Sequence, residues 1–193
     1  MVANKISFAI TITCWIVFAS GFLSREKQSS QLVKKKNNLA MLGILLEGAG
    51  FALAFSVRRD LFADLVSTND FVEILLTVLA GCMAVASVWL ALSAVKTLGK
   101  QWDFKARIIE GHQLIVSGPY KIVRHPIYSG MFGLLIITGY SMTQLWAYLI
   151  AIALYVAGTI LRIKVEERLL IQHFGNEYEN YKQKVPALIA FLI

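Results

Sequence analysis

Five apolar runs decide what this chain can fold into. They cover about residues 6–23, 39–57, 71–98, 127–142 and 145–161. A helix needs ~20 residues to cross the hydrocarbon core of a bilayer, and within that core every backbone N–H and C=O must be paired inside the segment. Helices are therefore the expected form of each run. The third is longer than a span requires and is expected to tilt or project. The fourth is short, and the break at Thr143-Gln144 makes it the first arm of a tight helical hairpin with the fifth. Hydrophobic residues make up 57% of the 193 positions, against ~45–50% in soluble domains. The chain reads as one all-α integral membrane domain with about five transmembrane helices. The first run exceeds the ~7–15 apolar residues of a secretory signal peptide and reads as a span.

Charge orients the spans. The net charge is +7, but a basic nucleic-acid-binding face would not account for the apolar runs. Sixteen of the 19 lysines and arginines fall on one side of a five-span arrangement, leaving Lys5, Arg58 and Arg59 on the other. The Lys/Arg-rich side is the cytoplasmic one. This puts the N-terminus outside, and the segment 99–128 and the tail 162–193 in the cytoplasm. Membrane lipids are expected partners and nucleic acid is not. The short loops point to a prokaryotic cell membrane.

Cys14 and Cys82 both lie inside apolar runs and read as buried thiols rather than a disulfide. Glu47 stands in the middle of the second run. Such an acid is either a functional group or a carboxyl hydrogen-bonded to a neighbouring helix. Gly43, Gly48 and Gly50 around it suit close helix packing. There is no GxGxxG after a strand, no Walker loop, no HExxH and no nucleophile elbow. His112, His125 and His173 are not at ligand spacing, so no metal is expected.

The stretch Gly111–Gly130, GHQLIVSGPYKIVRHPIYSG, carries two of the three histidines and two of the three prolines between apolar runs. Polar, constrained sequence in that position is costly unless it lines a site. Ser117-Gly118-Pro119-Tyr120 reads as a turn with φ fixed at Pro119. Pro126 biases His125 out of the helical region and places it at the start of the fourth helix. The first turn of that helix offers unpaired N–H groups suited to a carboxylate; a plain helix start with an interfacial histidine is the simpler alternative. Arg162 and Glu166 are four apart and share one face of a continuing helix. They form either a simple ion pair or a clamp for a substrate carboxylate. Leu169, Leu170, Phe174, Tyr178 and Tyr181 recur near helical spacing, as in an amphipathic cover over the site, and His173 reads as structural.

Together these residues resemble the isoprenylcysteine carboxyl methyltransferase family and, more broadly, membrane methyltransferases that include phospholipid N-methyltransferases. The resemblance rests on His112-Gln-Leu-Ile, Gly118-Pro-Tyr120, Arg124-His-Pro-Ile-Tyr128-Ser-Gly130, Glu166-Glu167, Phe174-Gly175, Tyr178, Tyr181 and Val185-Pro186, in that order. It covers roughly residues 99–186; residues 1–95 match only as spans. It implies S-adenosylmethionine as cofactor, lined by His112, Gln113, Leu114, Ile115, Tyr120, His125, Pro126, Ile127 and Tyr128. It also implies Arg162 and Glu166 as the catalytic, substrate-side pair. Lys105 stands where some eukaryotic relatives place a glutamine contact to the cofactor.

A sulfonium methyl is already activated, so transfer to a carboxylate asks for in-line placement and desolvation more than for a strong base. Arg162 would position the anionic acceptor, and the faces of Tyr120 and Tyr128 would favour the sulfonium. A lipid amine or a thiol would need a proton acceptor, for which Glu166 or Glu167 stands near. The lipophilic acceptor is expected to enter laterally from the bilayer. Membrane sterol reductases, which bind NADPH, share an RHP-containing ending but resemble this chain less: Ile127 and Met131 stand where an Asn and a Glu are usual. A non-catalytic lipid-binding protein on the same fold is the third reading.

Overall fold

The computed structural model describes residues 2–24, 33–36, 39–60, 69–103 and 106–188. Most of the expected basic loop, including Arg25 and Lys27, and Lys105 in the later segment, lie outside the described residues. The helices are α1 (Val2–Leu23), α2 (Leu39–Ser56), α3 (Asp70–Leu98), α4 (Pro126–Met142), α5 (Leu145–Phe174) and α6 (Asn176–Lys184). The all-α membrane architecture is as the composition demands. Among the described residues, four helical segments are long and apolar enough to cross a bilayer: Asn4–Leu23, Leu39–Ser56, Asp70–Gln101 and Leu145–Phe174.

The fourth apolar run differs from a full span. α4 has 17 residues and at ~1.5 Å per residue reaches only about 25 Å, short of the ~30 Å core. It lies at the centre of the bundle and touches α1, α2, α3 and α5. Leu134, Leu135 and Ile137 are fully buried there, as befits a helix apolar on all sides. The turn into α5 is as short as expected, Thr143-Gln144. The two arms, however, take different partners: α4 lies along α3, and α5 lies along α2. Thr143 fixes this corner by donating its hydroxyl to the Ala54 carbonyl (2.8 Å), and Arg59 N–H donates to the Met142 carbonyl (3.0 Å).

The fifth run continues past Leu161 as one helix to Phe174, because no Gly or Pro stands between Leu161 and Gly175. Gly175, at φ +54°, ends α5 and turns the chain into α6. Two polar stretches expected as loops contain a short antiparallel ribbon, β1 (Val33–Lys36) with β2 (Arg107–Ile109). Cys14 is buried as expected. Cys82 is exposed on α3, contrary to its expected burial, because its position on that helix faces away from α1 and α4.

The contact between α2 and α5 is made by glycines. A Cβ on Gly43 would lie 2.4 Å from Arg162 Cγ and 2.8 Å from the Gly158 carbonyl, and one on Gly50 would lie 2.8 Å from the Ala151 carbonyl. Those two serve close packing, as expected. Gly48 does not: nothing lies within 4 Å of its added Cβ, and it borders a cavity instead.

Candidate active site

After β2 the chain runs irregularly through His112–Val116, held where the Gln113 N–H donates to the Gln101 side-chain oxygen (2.5 Å). A 3-10 turn over Gly118–Lys121 follows, with Pro119 and Tyr120 buried, as the Ser-Gly-Pro-Tyr sequence foretells. The tail then fixes this segment. Arg124 N–H donates to the Pro186 carbonyl (2.8 Å) and His125 N–H to that of Ala187 (2.9 Å). The Tyr181 hydroxyl donates to the Tyr120 carbonyl (2.6 Å). Burial, opposed by Arg124 and reinforced by Glu167, pushes the Tyr181 hydroxyl up to about 12, so it stays a donor at neutral pH. The tail is thus more than the amphipathic cover expected of it. It pairs with the segment through main-chain hydrogen bonds.

His125 caps α4 and Pro126 occupies its first turn, as expected. No side chain caps that turn, so the Ile127 and Tyr128 N–H groups lack intrahelical partners by helix geometry. All eleven residues singled out in the sequence line one cavity of about 430 Å³: His112, Gln113, Leu114, Ile115, Tyr120, His125, Pro126, Ile127, Tyr128, Arg162 and Glu166. The lining also includes Phe18 and Phe22 from α1, Ile44 and Phe51 from α2, and Leu169, Leu170, Tyr178 and Tyr181 from the tail. Phe174 is not part of it and packs beside His112, with ring centroids 6.0 Å apart.

At the α5 side of this cavity sits an ionic cluster. Arg162 donates through one terminal nitrogen to Glu47 Oε2 (3.0 Å) and through the other to Glu166 Oε1 (3.4 Å). Its guanidinium carbon lies 4.8 Å from the centroid of the Tyr128 ring, and the Tyr128 hydroxyl donates to Glu166. His125 also stacks on Tyr128, 5.7 Å between centroids. The Tyr128 ring, one of the two faces expected for a sulfonium, is therefore packed against protein groups. Glu47 is tied to a neighbouring helix as one sequence reading had it, but through an arginine and the Thr159 hydroxyl (3.0 Å).

A second cluster stands beside it. Arg124 donates to Glu167 Oε1 (2.9 Å) and to the carbonyls of Lys182 (3.1 Å) and Val185. His125 Nε2 lies 3.3 Å from the same carboxylate, and Lys182 Nζ lies 2.7 Å from its other oxygen. Glu167 does not line the cavity. With three cation-forming partners it is not available as the proton acceptor the sequence allowed; Glu166 alone keeps that position. Among the described residues, no three His, Cys, Asp or Glu side chains gather as a metal site.

Sequence reasoning missed Gln101, Trp102 and Gly48 at the cavity and the partner of Glu47. Glu47 itself carried a signal, as the lone acid in the middle of an apolar run. The others carried none. His112 was found, and its Nδ1 is buried with no hydrogen-bond partner. Burial, with His173 adding to it, holds the His112 imidazole below its ordinary 6.5. A neutral histidine with an open ring nitrogen at a cavity wall suits a ligand donor or acceptor.

A profile of the Isoprenylcysteine carboxyl methyltransferase (ICMT) family matches residues 78–172. A probable protein-S-isoprenylcysteine O-methyltransferase from Oryza sativa subsp. indica is 30% identical over 91% of this chain and 88% of its own length. The chain belongs to the isoprenylcysteine carboxyl methyltransferase family. The protein-S-isoprenylcysteine O-methyltransferase of Saccharomyces cerevisiae is 31% identical over 70% of this chain and 58% of its own. A methanethiol S-methyltransferase from Crocosphaera subtropica is 33% identical over 38% of this chain and 28% of its own. The protein is an integral, multi-pass membrane methyltransferase, and the reductase and non-catalytic readings fall away. Methyltransferases of this family generally use S-adenosylmethionine. Relatives in a plant, a yeast and a cyanobacterium do not single out the prokaryotic membrane expected from the short loops.

Proposed function

We propose that this methyltransferase moves the methyl group of S-adenosylmethionine to the carboxylate of a lipophilic acceptor of the isoprenylcysteine class. The observation that carries the reading is one cavity lined both by the segment 112–128 and by the apolar side chains Phe18, Phe22, Ile44 and Phe51, with Arg162 also in its lining. The cofactor fits the segment 112–128. The uncapped N–H groups of Ile127 and Tyr128 suit its carboxylate, and the unpartnered His112 Nδ1 suits a nucleoside polar group. Leu114 and Ile115 offer apolar surface to the base, and the buried Tyr120 offers a ring to the sulfonium.

When bound, S-adenosylmethionine supplies an electrophilic methyl whose transfer to a carboxylate forms one C–O bond as one C–S bond breaks, with no proton moved. The residues of the chain therefore bind, orient and exclude water. Arg162 holds the acceptor carboxylate, and Glu166, fixed by Tyr128, shares that arginine until the acceptor arrives. The aromatic residues of α1 and α2 receive the lipid chain, which enters from the bilayer. The N-terminus lies outside, and the segment 99–128 and the C-terminal tail lie in the cytoplasm, where the cofactor is found. A thiol acceptor is the second reading, favoured by the likeness to the methanethiol enzyme; Glu166 would then take the thiol proton.

Calorimetric binding of S-adenosylhomocysteine to the detergent-purified protein tests the reading, with NADPH run alongside. Micromolar binding that weakens in His125→Ala is expected, with none for NADPH. Binding of NADPH alone would overturn it. Methyl transfer to N-acetyl-S-farnesyl-cysteine, against a prenyl thiol without a carboxylate, separates the two acceptors.

A further inference from the structure

Glu47 is given no role by the functional reading, yet it is a buried carboxylate of the cavity wall with both oxygens hydrogen-bonded. It is 5% exposed. One oxygen accepts from Thr159 (3.0 Å) and the other from Arg162 (3.0 Å). The second carboxylate meets the same guanidinium at longer range and keeps the Tyr128 hydroxyl as a partner of its own. Glu166 lies 3.4 Å from Arg162, and its side chain is 23% exposed. The helices are shaped around this arrangement. Gly43 leaves room for the Arg162 stem, and a Cβ on Gly158 would lie 3.0 Å from Glu47 Cγ. Arg162 is thus fixed from α2 at one end and exchangeable at the other.

The chemistry gives that asymmetry a purpose. As a carboxylate oxygen takes up a methyl group, it loses its negative charge along the reaction. An arginine paired at full strength with the acceptor would stabilise the starting carboxylate more than the transition state, and would slow transfer while tightening binding. A carboxylate on the far side of the guanidinium weakens that grip while keeping the side chain in place. We propose that Glu47 is a positioning residue that holds Arg162 from behind and moderates its pairing with the acceptor carboxylate, Glu166 being the partner that gives way. This rests on the carboxylate acceptor proposed above.

The test uses the full-length detergent-purified protein with N-acetyl-S-farnesyl-cysteine as probe, comparing wild type, Glu47→Gln and Thr159→Val. Acceptor Kd is measured calorimetrically without cofactor, kcat by methyl transfer, and S-adenosylhomocysteine Kd as a check on the fold. Glu47→Gln should bind the probe several-fold more tightly, turn over on the order of tenfold more slowly, and bind S-adenosylhomocysteine as the wild type does. Thr159→Val frees one Glu47 oxygen without changing charge and should shift both quantities the same way by less. Acceptor binding that is unchanged or weaker in Glu47→Gln, with cofactor binding intact, overturns the inference. So does loss of S-adenosylhomocysteine binding in both variants, which would make Glu47 a packing residue. If only Glu47→Gln fails to fold, the direction of the Thr159→Val shift decides. Wild-type protein that transfers nothing to the probe refutes the acceptor reading itself, a different result from a wild type that transfers and a Glu47→Gln that matches it.

Discussion

Arg124 and Arg162 both meet carboxylates on α5, and their surroundings differ in almost every other respect. Arg124 is bound to Glu167 and to two main-chain carbonyls of the tail, and Glu167 is in turn bound by Lys182 and approached by His125. Arg162 faces side chains: Glu47 across a helix contact, Glu166 one turn on, and the Tyr128 ring. Glu166 and Glu167 are consecutive, so they point about 100° apart on the helix. One reaches the cavity wall and the other reaches the tail. A charge satisfied by fixed backbone holds structure in place. A charge shared between side chains, with carboxylates in excess, is able to exchange partners. On the proposed function, the two neighbouring glutamates divide fastening from chemistry.

Four substitutions and a titration can break or sharpen that contrast. Glu167→Ala leaves Arg124 without its carboxylate and should cost about 3–5 kcal/mol of stability, the scale for breaking a buried ion pair. A large fall in Tm with weaker S-adenosylhomocysteine binding is the expected result, and an unchanged Tm would deny the tail its fastening role. Gly43→Ala drives a methyl group into the Gly158 carbonyl and the Arg162 stem. It should destabilise by about 1–3 kcal/mol as overpacking does and also lower turnover. Gly48→Ala, with open space around it, should leave Tm nearly unchanged and affect only ligand binding. Tyr181→Phe removes one hydrogen bond to the Tyr120 carbonyl. It should cost about 0.5–1.5 kcal/mol, read as a small fall in Tm and a modest rise in cofactor Kd.

The smallest effect is that of pH. His112 resists protonation in the folded state, so below its ordinary 6.5 the unfolded chain binds the extra proton. Stability should therefore rise with pH through the window just below 6.5 and fall again on acidification. His112→Asn should flatten that slope in chemical denaturation, and an equal slope in the variant would contradict the assignment.

The membrane fold was legible because hydrocarbon leaves helices almost no alternative, and the apolar runs mark them to within a few residues except at the end of α5, which runs on to Phe174. The short span at 127–142 was visible too, but its central place was not, since length says nothing about neighbours. Within the site, the order His112, Tyr120, His125, Arg162, Glu166 was readable from turn chemistry, helix spacing and family likeness. Pairings across the bundle were not. Glu47 and Arg162 are 115 positions apart, and nothing short of the α2–α5 crossing brings them together. Arg124 stood in the sequence only as a motif neighbour of His125; it lines the cavity, and its bonds to the Lys182 and Val185 carbonyls appear only in the fold.

The most direct test of the division between the two arginines is single-turnover methyl transfer in Arg162→Lys and Arg124→Lys, both saturated with S-adenosylmethionine. Lysine keeps the charge but not the forked geometry. Arg162→Lys should lose about 10²-fold or more in rate, the scale of a misplaced reactant, while binding S-adenosylhomocysteine normally. Arg124→Lys should need more cofactor and melt earlier, yet transfer at close to the wild-type rate once saturated. The reverse pattern, with the rate lost in Arg124→Lys and kept in Arg162→Lys, would contradict the assignment of chemistry to the α2–α5 side of the cavity.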